Sequence, residues 1–303
     1  MSGRTLRLFL VDGTPSGLIT AEIMNWTGHI LAGPRSMLAE ILKRPEVART
    51  GIYFLIGPDP KSSSTRIYVG ETDDVATRLK QHNRGEDQGG KDFWEKACVV
   101  TSKDFNLTKT HVKYLESRII EIAKESRRCV LENGNAPVYG ALPEADIADM
   151  AFFLEQIRTV LPVLGFDFLR AQPVVSNSDN AVRPASKASE SPVFVLEVRK
   201  FAVTAEAREI DGEFVVLKGS TARDHWTSEW ASYQALYEQL VQDGVLSEPE
   251  SGVRRFNTDY AFSSPSAAAA IVCGRPANGR TEWHSKDGGQ IYAYWQEQQL
   301  NRT

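Results

Sequence analysis

The chain of 303 residues is long enough for two domains, each with its own buried core. Hydrophobic residues make up 42% and charged residues 24%, as in an ordinary globular protein, and no apolar run approaches the roughly eighteen residues that span a bilayer. The net charge of -4 argues against a histone-like coat for nucleic acid, but not against an enzyme that binds a few phosphates.

Cysteine usage and the start of the chain bear on where the protein works. Cys98, Cys129 and Cys273 are scattered, odd in number and without the spacing of metal ligands. The N-terminal apolar stretch is short and mixed, unlike the core of a signal peptide. We therefore expect a reduced, cytoplasmic protein without a membrane-spanning segment.

The first part of the chain predicts short strands that alternate with helices. Residues 6–11 are expected to form a strand that ends in a turn, and residues 36–43 a helix between two prolines. Residues 51–57 (GIYFLIG) and 66–70 (RIYVG) are apolar, rich in strand-forming residues and separated by a polar loop. They predict an antiparallel pair of strands.

A helix should follow the second of these strands. Thr72 offers an N-cap, Asp73 and Asp74 suit the positive end of the helix dipole, and the helix is expected to run to about His82. Further elements are expected at residues 94–101 (strand), 111–124 (helix), Cys129–Leu131 (strand), 133–134 (turn) and 148–160 (helix).

The second part of the chain begins after residues 171–192, which are rich in Ser, Pro, Ala and Asn and predict a linker. Strands are expected at residues 193–198 and 214–217, and helices at residues 228–243 and between Ser264 as the cap and Gly274 just past the end. Asn278 and Gly279 predict a turn between short strands.

Together these elements predict an α+β fold. A small, mostly antiparallel sheet flanked by helices should occupy residues 51–170, with residues 1–50 packed on it as a strand and helix extension. Residues 193–303 should form a second small α+β domain.

The charges are distributed unevenly between the two parts. Residues 61–128 contain fourteen Lys and Arg against eleven Asp and Glu, whereas residues 201–303 contain nine against fourteen. If DNA or RNA is bound, the N-terminal half is therefore the better host.

Glu116 is the carboxylate that most needs an explanation. It lies on the predicted helix at the edge of the apolar stripe, four residues after Val112 and four before Ile120. An unpaired charge at such a position is costly. A buried ion pair and a divalent-metal site, for which oxygen is the preferred ligand, explain it about equally well.

Four other side chains have chemistry that suits a phosphate. Arg78 and His82 are four residues apart and share one side of a helix, where Arg can bind a phosphate and His can relay a proton. Tyr53 and Tyr68 lie beside glycines on the two paired strands. Alone, such residues are more often surface or packing residues; together with a half-buried Glu they form a more specific set.

The ordered set GIY, YVG, Arg78, His82, Glu116 and a later asparagine resembles the GIY-YIG nuclease superfamily, over about residues 51–137. The resemblance implies that the protein is a metal-dependent endonuclease that hydrolyses phosphodiester bonds in DNA, in repair, restriction or defence against foreign DNA. It also implies that Tyr53 is the general base or the relay to a base, and that Tyr68 orients the attacking water or the scissile phosphate. A free tyrosine has a pKa near 10, so Tyr53 would need activation.

The resemblance implies roles for the remaining site residues as well. Arg78 would neutralise transition-state charge, His82 would support proton transfer, and Glu116 would be the only protein ligand of one Mg²⁺ or Mn²⁺. The family asparagine usually lies about a dozen residues after the glutamate, whereas the candidates here, Asn133 and Asn135, follow seventeen and nineteen residues after Glu116. Asn133 is preferred because it directly follows a predicted strand.

DNA is the expected partner, and Lys80, Arg84 and Lys113 are the candidate nucleic-acid contacts. A homodimer or a larger complex is compatible with the sequence. The alternative function is a module that binds nucleic acid or protein without catalysis, or a subunit of a larger defence or repair complex.

The C-terminal half resembles a domain of unknown function that is often fused to such nucleases, on the segments LKGSTARDHW and DYAFSSPSAAAAIVCGRPANGRTEW. Trp226, Trp283 and Arg280 could stack on bases. Packing within a small acidic domain is the favoured interpretation of these residues.

Overall fold

The structure is a computed structural model, and it describes residues 3–60, 64–134, 140, 142–170, 191–210, 212–228 and 233–300. The chain forms two compact units, Met1–Ala171 and Gln172–Thr303. Apart from Ser191 and Pro192, the predicted linker at residues 171–192 lies outside the described residues, as does Asn135.

The first unit is built on a seven-stranded sheet. Its strands are β1 (Leu6–Leu10), β2 (Ile19–Ile23), β3 (Gly28–Pro34), β4 (Gly51–Pro58), β5 (Thr65–Thr72), β6 (Lys96–Ser102) and β7 (Cys129–Leu131), and its helices are α1 (Leu38–Lys43), α2 (Val75–His82), α3 (Lys109–Ser126) and α4 (Glu144–Val160). The strand order is β1-β2-β3-β6-β4-β5-β7, and only the last pair is parallel. The predicted α+β class with a mostly antiparallel sheet is confirmed.

Helices cover both faces of this sheet. On β4, Ile52 and Phe54 pack into a core shared with α3 and α4, whereas Tyr53 and Leu55 pack into a core shared with α1 and α2. Successive residues of a strand point to opposite faces, so a strand covered on both sides needs an apolar residue at almost every position. This is the reason for the unbroken apolar run in GIYFLIG.

The predicted antiparallel pair is confirmed, with Tyr53 opposite Gly70 and Leu55 opposite Tyr68. The predicted cap of the next helix is wrong. The α2 N-cap is Asp74, whose side chain accepts hydrogen bonds from the Thr77 amide at 3.1 Å and from its hydroxyl at 2.7 Å. Aspartate is an equally good cap, and the helix therefore starts two residues later than a Thr72 cap would place it.

The N-terminal segment supplies β1, β2 and β3, which continue the same sheet through the pairing of β3 with β6. Between β3 and α1, the residues Arg35–Met37 form a short 3-10 helix, so the helix expected at residues 36–43 begins as a tighter turn. Arg35 lies at the start of this turn, and its amide donates to the Glu95 carbonyl at 2.6 Å.

The second unit contains a five-stranded antiparallel sheet and a two-stranded one. Its strands are β8 (Phe194–Val198), β9 (Val203–Ile210), β10 (Glu213–Val216), β11 (Thr221–Arg223), β12 (Val253–Arg255), β13 (Tyr260–Phe262) and β14 (His284–Ser285), and its helices are α5 (Gln234–Gln242), α6 (Pro265–Cys273), α7 (Gly279–Glu282) and α8 (Tyr292–Leu300). The sequence did not predict β9, whose alternating polar residues (VTAEAREI) lack the apolar run that marked its neighbours.

Three predictions for the second unit are decided by side-chain contacts. Ser264 caps α6 and Gly274 ends it in a left-handed conformation, as predicted. The turn predicted at Asn278 is instead the cap of the short α7. Stacking of Trp283 on bases is ruled out by its position, because it is fully buried and its Nε1 donates to the Pro265 carbonyl at 3.0 Å.

Trp226 is half-buried and packs against Tyr237, with ring centroids 6.2 Å apart, while Arg280 is exposed. Packing therefore accounts for both tryptophans. Among the helices of the described ranges, none combines the length and the apolar character needed to cross a bilayer.

Candidate active site

The candidate site lies where β5 loses its outer neighbour. Strand β7 pairs with residues Thr65 to Ile67 of β5 and goes no further. Beyond this point Tyr68 packs against the α2 side of the sheet, and Glu71 reaches Lys109 of α3 on the other side. Side chains from both faces therefore meet at one strand edge.

Asn133 extends the strand pairing by one position. Its Oδ1 accepts from the Val69 amide at 2.9 Å, and its Nδ2 donates to the Val69 carbonyl at 2.8 Å. A carboxamide thus takes the place of a strand residue and satisfies both backbone groups. The structure places Asn133 as a support of β5, next to Tyr68.

The Tyr53 hydroxyl is the centre of the α2 side of the site. It lies 2.8 Å from His82 Nε2 and accepts from Arg78 Nε at 3.4 Å. Spacing of four along α2 brings Arg78 and His82 to the same side, as the sequence predicted. Since the arginine can only donate, the hydroxyl is arranged to pass its own proton to the imidazole.

Burial sets the protonation states in this group. Tyr53 is fully buried, and burial together with the neighbouring Tyr68 raises the pKa of its hydroxyl. Burial, followed by the charges of Arg78 and Lys91, lowers the pKa of His82 to about 4. His82 is therefore neutral at pH 7 and able to take a proton.

The second nitrogen of His82 completes the description of this imidazole. Nδ1 is buried and has no hydrogen-bond partner among the described residues. A neutral imidazole that accepts from Tyr53 at Nε2 must hold its proton at Nδ1. The arrangement therefore leaves one buried donor to be satisfied by water or substrate.

Two glycines of the strand pair are required by close contacts. A Cβ atom at position 70 would lie 2.3 Å from the Tyr53 hydroxyl oxygen, and one at position 51 would lie 2.6 Å from the Val100 carbonyl. Gly70 makes room for the Tyr53 ring and Gly51 for the neighbouring strand. The glycines of GIY and YVG thus have a steric reason.

Tyr68 lies between Tyr53 and a lysine. Its ring centroid is 6.2 Å from that of Tyr53 and 5.2 Å from the His82 ring, which it meets edge-on. The Lys91 ammonium lies 4.4 Å from the Tyr68 ring centroid, a cation–π contact. Lys91 was not among the predicted site residues, because it lies in a polar, glycine-containing loop with no periodic pattern.

Glu116 occupies the α3 side of the site. It is half-buried on α3, as predicted, and forms no hydrogen bond or ion pair within the described ranges. Burial and the nearby Glu71 raise its pKa to about 7, against the opposing charges of Lys109, Arg78 and Lys113. Among the described residues, the ion-pair alternative for Glu116 therefore finds no partner.

Glu71 differs from Glu116 in having a partner. The Lys109 ammonium lies 2.7 Å from its Oε2 and 3.5 Å from Asp73 Oδ2. The ion pair raises the pKa of Lys109 against the opposing effect of burial. On the α3 side of the site, Lys109 thus neutralises the charge of Glu71 but not that of Glu116.

A divalent metal fits Glu116 on these grounds. An unpaired, half-buried carboxylate beside a second carboxylate is a hard oxygen donor whose charge a cation would stabilise. No cluster of three or more His, Cys, Asp or Glu suited to a metal occurs in the described part of the chain. Water and substrate oxygens would have to fill the other positions.

The predicted nucleic-acid contacts are all solvent-exposed. Lys80 lies on α2, Arg84 just after it, and Lys113 on α3 one turn before Glu116. Of the three, Lys113 is close enough to Glu116 to act on its pKa. Lys113 therefore lies near the candidate site, whereas within the described part of the chain no contact joins the site to Lys80 or Arg84.

Comparison with protein families agrees with this geometry. Residues 49–128 match the family model described as the GIY-YIG catalytic domain, and residues 194–296 match the one described as a domain of unknown function, DUF4357. The first unit therefore has a nuclease-type fold. The chain combines a GIY-YIG domain with a DUF4357 domain, which confirms the resemblance seen in the sequence.

The GIY-YIG match contains Tyr53, Tyr68, Arg78, His82 and Glu116, and it ends before Asn133. Neither a curated protein nor a solved structure matches the chain.

Proposed function

We propose that this protein is a metal-dependent endonuclease that hydrolyses phosphodiester bonds in DNA. The observation that carries the proposal is the Tyr53 hydroxyl held between Arg78 Nε and His82 Nε2. This arrangement pairs a proton acceptor with a permanent cation, as the hydrolysis of a phosphate ester requires. The GIY-YIG match supports the class of reaction.

The proton path follows from the hydrogen bonds. A water molecule at the strand edge gives a proton to the Tyr53 oxygen as the Tyr53 proton moves to His82 Nε2. The resulting hydroxide attacks phosphorus, the P–O bond to the leaving nucleotide oxygen breaks with its electron pair on that oxygen, and the oxygen takes up a proton from solvent water. Because burial raises the pKa of Tyr53, the hydroxyl acts as a relay and the neutral imidazole holds the proton.

Two positive groups, Arg78 and a metal ion held by Glu116, would neutralise the charge on the phosphate. Arg78 lies beside the Tyr53 hydroxyl, and its charge also acts on Glu116. Glu116 would hold one Mg²⁺ or Mn²⁺, which when bound supplies positive charge to the phosphate oxygens. Tyr68, half-exposed at the same edge, would orient the water or the scissile phosphate.

We further propose a role in DNA repair, restriction or defence against foreign DNA, in a reduced cytoplasmic setting. The unpaired state of Cys98, Cys129 and Cys273 supports the setting. Asn133 is proposed to serve the site by holding the Tyr68 segment of β5, in line with its two bonds to Val69.

The test is cleavage of a substrate panel with Mg²⁺, Mn²⁺ or EDTA: supercoiled plasmid and single-stranded, duplex and branched oligonucleotides. We expect metal-dependent nicking by the wild-type protein, and a loss of at least about 100-fold in Tyr53→Phe and Glu116→Ala. Glu121→Ala is the matched control, because Glu121 lies on the same helix and pairs with the exposed Arg118.

Full activity of Glu116→Ala after removal of metal ions would contradict the assignment. DNA binding without nicking under every metal would instead favour a non-catalytic module.

A further inference from the structure

One arginine of the N-terminal segment holds both ends of the loop that follows His82. Arg35 Nε donates to Asn83 Oδ1 at 2.9 Å, and Nη1 donates to the Asp92 carbonyl at 3.1 Å and to its carboxylate at 3.0 Å. The guanidinium carbon lies 4.7 Å from the Trp94 ring centroid. A single side chain thus ties the end of α2 to the start of β6.

The backbone closes the same loop at the next position. The Lys91 amide donates to the His82 carbonyl at 2.9 Å, and the Gly90 amide donates to the Gly85 carbonyl at 3.0 Å. Residues 84–90 therefore form a loop whose two ends lie close together, and we call the backbone contact between His82 and Lys91 the neck of this loop. His82 and Lys91 are the two residues that meet at this neck.

The neck fixes the Lys91 ammonium beside the candidate site. Nζ lies 4.4 Å from the Tyr68 ring centroid and 3.8 Å from Glu132 Oε1, and the side chain keeps 22% of its surface exposed. A cation–π contact orients an ammonium but leaves its other hydrogen-bond donors unused. Lys91 and Arg78 thus place two cations around Tyr53, Tyr68 and His82.

We propose that Lys91 is a second phosphate-binding cation of this active site and that Arg35, which precedes the GIY-YIG match, is the positioning residue that holds it there. The proposal rests on the proposed nuclease function. It gives the segment before residue 49 a part in the site. Residues 49–128, which match the GIY-YIG family model, do not include Arg35.

The physical argument for Arg35 is its geometry. A planar guanidinium can bind two separate acceptors while its face lies on an aromatic ring, and a lysine ammonium cannot reproduce both contacts. Three of its acceptors belong to the two ends of one loop. Loss of the Arg35 guanidinium should therefore release the loop without removing any residue that contacts substrate.

The charge of Lys91 also reaches His82. The groups that face this imidazole are the two tyrosines Tyr53 and Tyr68 and the two cations Arg78 and Lys91, with Glu132 beyond Lys91. Both cations oppose protonation of His82. Removing or displacing Lys91 should therefore raise the pKa of His82, a change that a purely structural loop would not cause.

The experiment compares Lys91→Gln, Lys91→Arg, Arg35→Gln and Arg35→Lys with Lys43→Gln. Lys43 lies on α1 of the same segment and pairs with Glu40 on the exposed surface, so its variant controls for loss of one charge. Cleavage kinetics, the NMR titration of His82 and hydrogen exchange of the amides at residues 88–92 are measured on the full chain.

We expect kcat/KM to fall about 10- to 100-fold in Lys91→Gln, the cost of one charge-assisted contact. Lys91→Arg should recover part of the activity. Both Arg35 variants should approach Lys91→Gln in activity and speed exchange at the Lys91 amide, and the His82 pKa should rise in Lys91→Gln and in the Arg35 variants. Lys43→Gln should match the wild type in every readout.

Unchanged cleavage together with an unchanged His82 titration in Lys91→Gln would overturn the proposal for Lys91. Wild-type exchange at residues 88–92 in Arg35→Gln would overturn the one for Arg35. If the wild-type protein cleaves no DNA, the proposed nuclease function fails, and the His82 titration and the amide exchange still decide whether the two residues act on the site.

Discussion

A Cβ atom on Gly70 would lie 2.3 Å from the hydroxyl oxygen of Tyr53. The ring of Tyr53 is fully buried, and Gly70 is its partner across the strand pair. Gly70 of the YVG motif thus determines where Tyr53 of the GIY motif places its hydroxyl.

Gly70→Ala should therefore damage the site more than the fold. The added methyl group must displace the end of the Tyr53 ring and so lengthen its bond to His82 Nε2. We expect about 1–3 kcal/mol of lost stability, measured by urea denaturation, and a much larger relative loss of nicking activity. Gly134→Ala is a suitable control, because a Cβ atom there meets no atom of the described residues within 4 Å.

Glu116→Gln should stabilise the metal-free protein at pH 8. The pKa of Glu116 is raised to about 7 in the folded state from 4.5, so the folded state binds the proton more tightly. In the wild type, the stability that Glu116 contributes should be full below about pH 4.5 and fall as the pH rises to about 7. The loss is about 1–2 kcal/mol after screening by solvent.

Denaturation curves at pH 4.5 and pH 8 with and without Mg²⁺ measure this effect. Added Mg²⁺ should raise the Tm of the wild type at pH 8 and leave that of Glu116→Gln unchanged. A stability difference between the wild type and Glu116→Gln that stays the same at the two pH values would show that Glu116 is not a strained carboxylate.

His82 should make the folded protein sensitive to acid. Its pKa is lowered to about 4 from 6.5, so the unfolded chain takes up the proton first as the pH falls. The stability that this neutral imidazole contributes is present above pH 6.5 and is lost between pH 6.5 and about 4. The effect is up to about 3 kcal/mol, and His82→Phe should remove this part of the pH dependence.

NMR of the imidazole provides the direct check on His82. Its resonances should titrate near pH 4 in the wild type, and Tyr53→Phe should perturb them through loss of the hydroxyl 2.8 Å away. A titration midpoint near 6.5 would mean that the imidazole is solvated in solution.

Asn133→Ala should destabilise the edge of β5. It leaves both the Val69 amide and carbonyl without their side-chain partner, at a cost of about 1–3 kcal/mol. Asn133→Asp keeps an acceptor for the amide and loses the donor, so it should lie between the wild type and the alanine variant. Urea denaturation gives the order, and hydrogen exchange at Val69 locates the effect.

Much of the fold was accessible from the sequence because local patterns encode it. The apolar runs of GIYFLIG and RIYVG determined two strands and their antiparallel pairing, and spacings of three and four determined α3. The same spacing put Arg78 and His82 on one side of α2, and it placed Glu116 at a half-buried position. These are short-range properties, which residue type and periodicity determine.

The tertiary structure decided every contact between elements. No local pattern shows that the Tyr53 hydroxyl lies between Arg78 and His82, or that Asn133 replaces a strand residue at Val69. Nor does one show that, among the described residues, Glu71 is paired with Lys109 whereas Glu116 has no partner. Such contacts join residues far apart in the chain, and their partners are chosen by packing.

Arg35 and Lys91 show the difference most clearly. The sequence pattern Tyr53, Tyr68, Arg78, His82 and Glu116 was enough to predict a nuclease-type site, because each of these residue types has a chemical reason to be near a phosphate. Neither Arg35 nor Lys91 belongs to a periodic segment, and 55 positions separate Arg35 from the end of the loop at Gly90. Only the folded chain brings Arg35 to the loop, because β3, which precedes it, pairs with β6. Only the folded chain brings Lys91 to Tyr68, because the Lys91 amide is bonded to the His82 carbonyl.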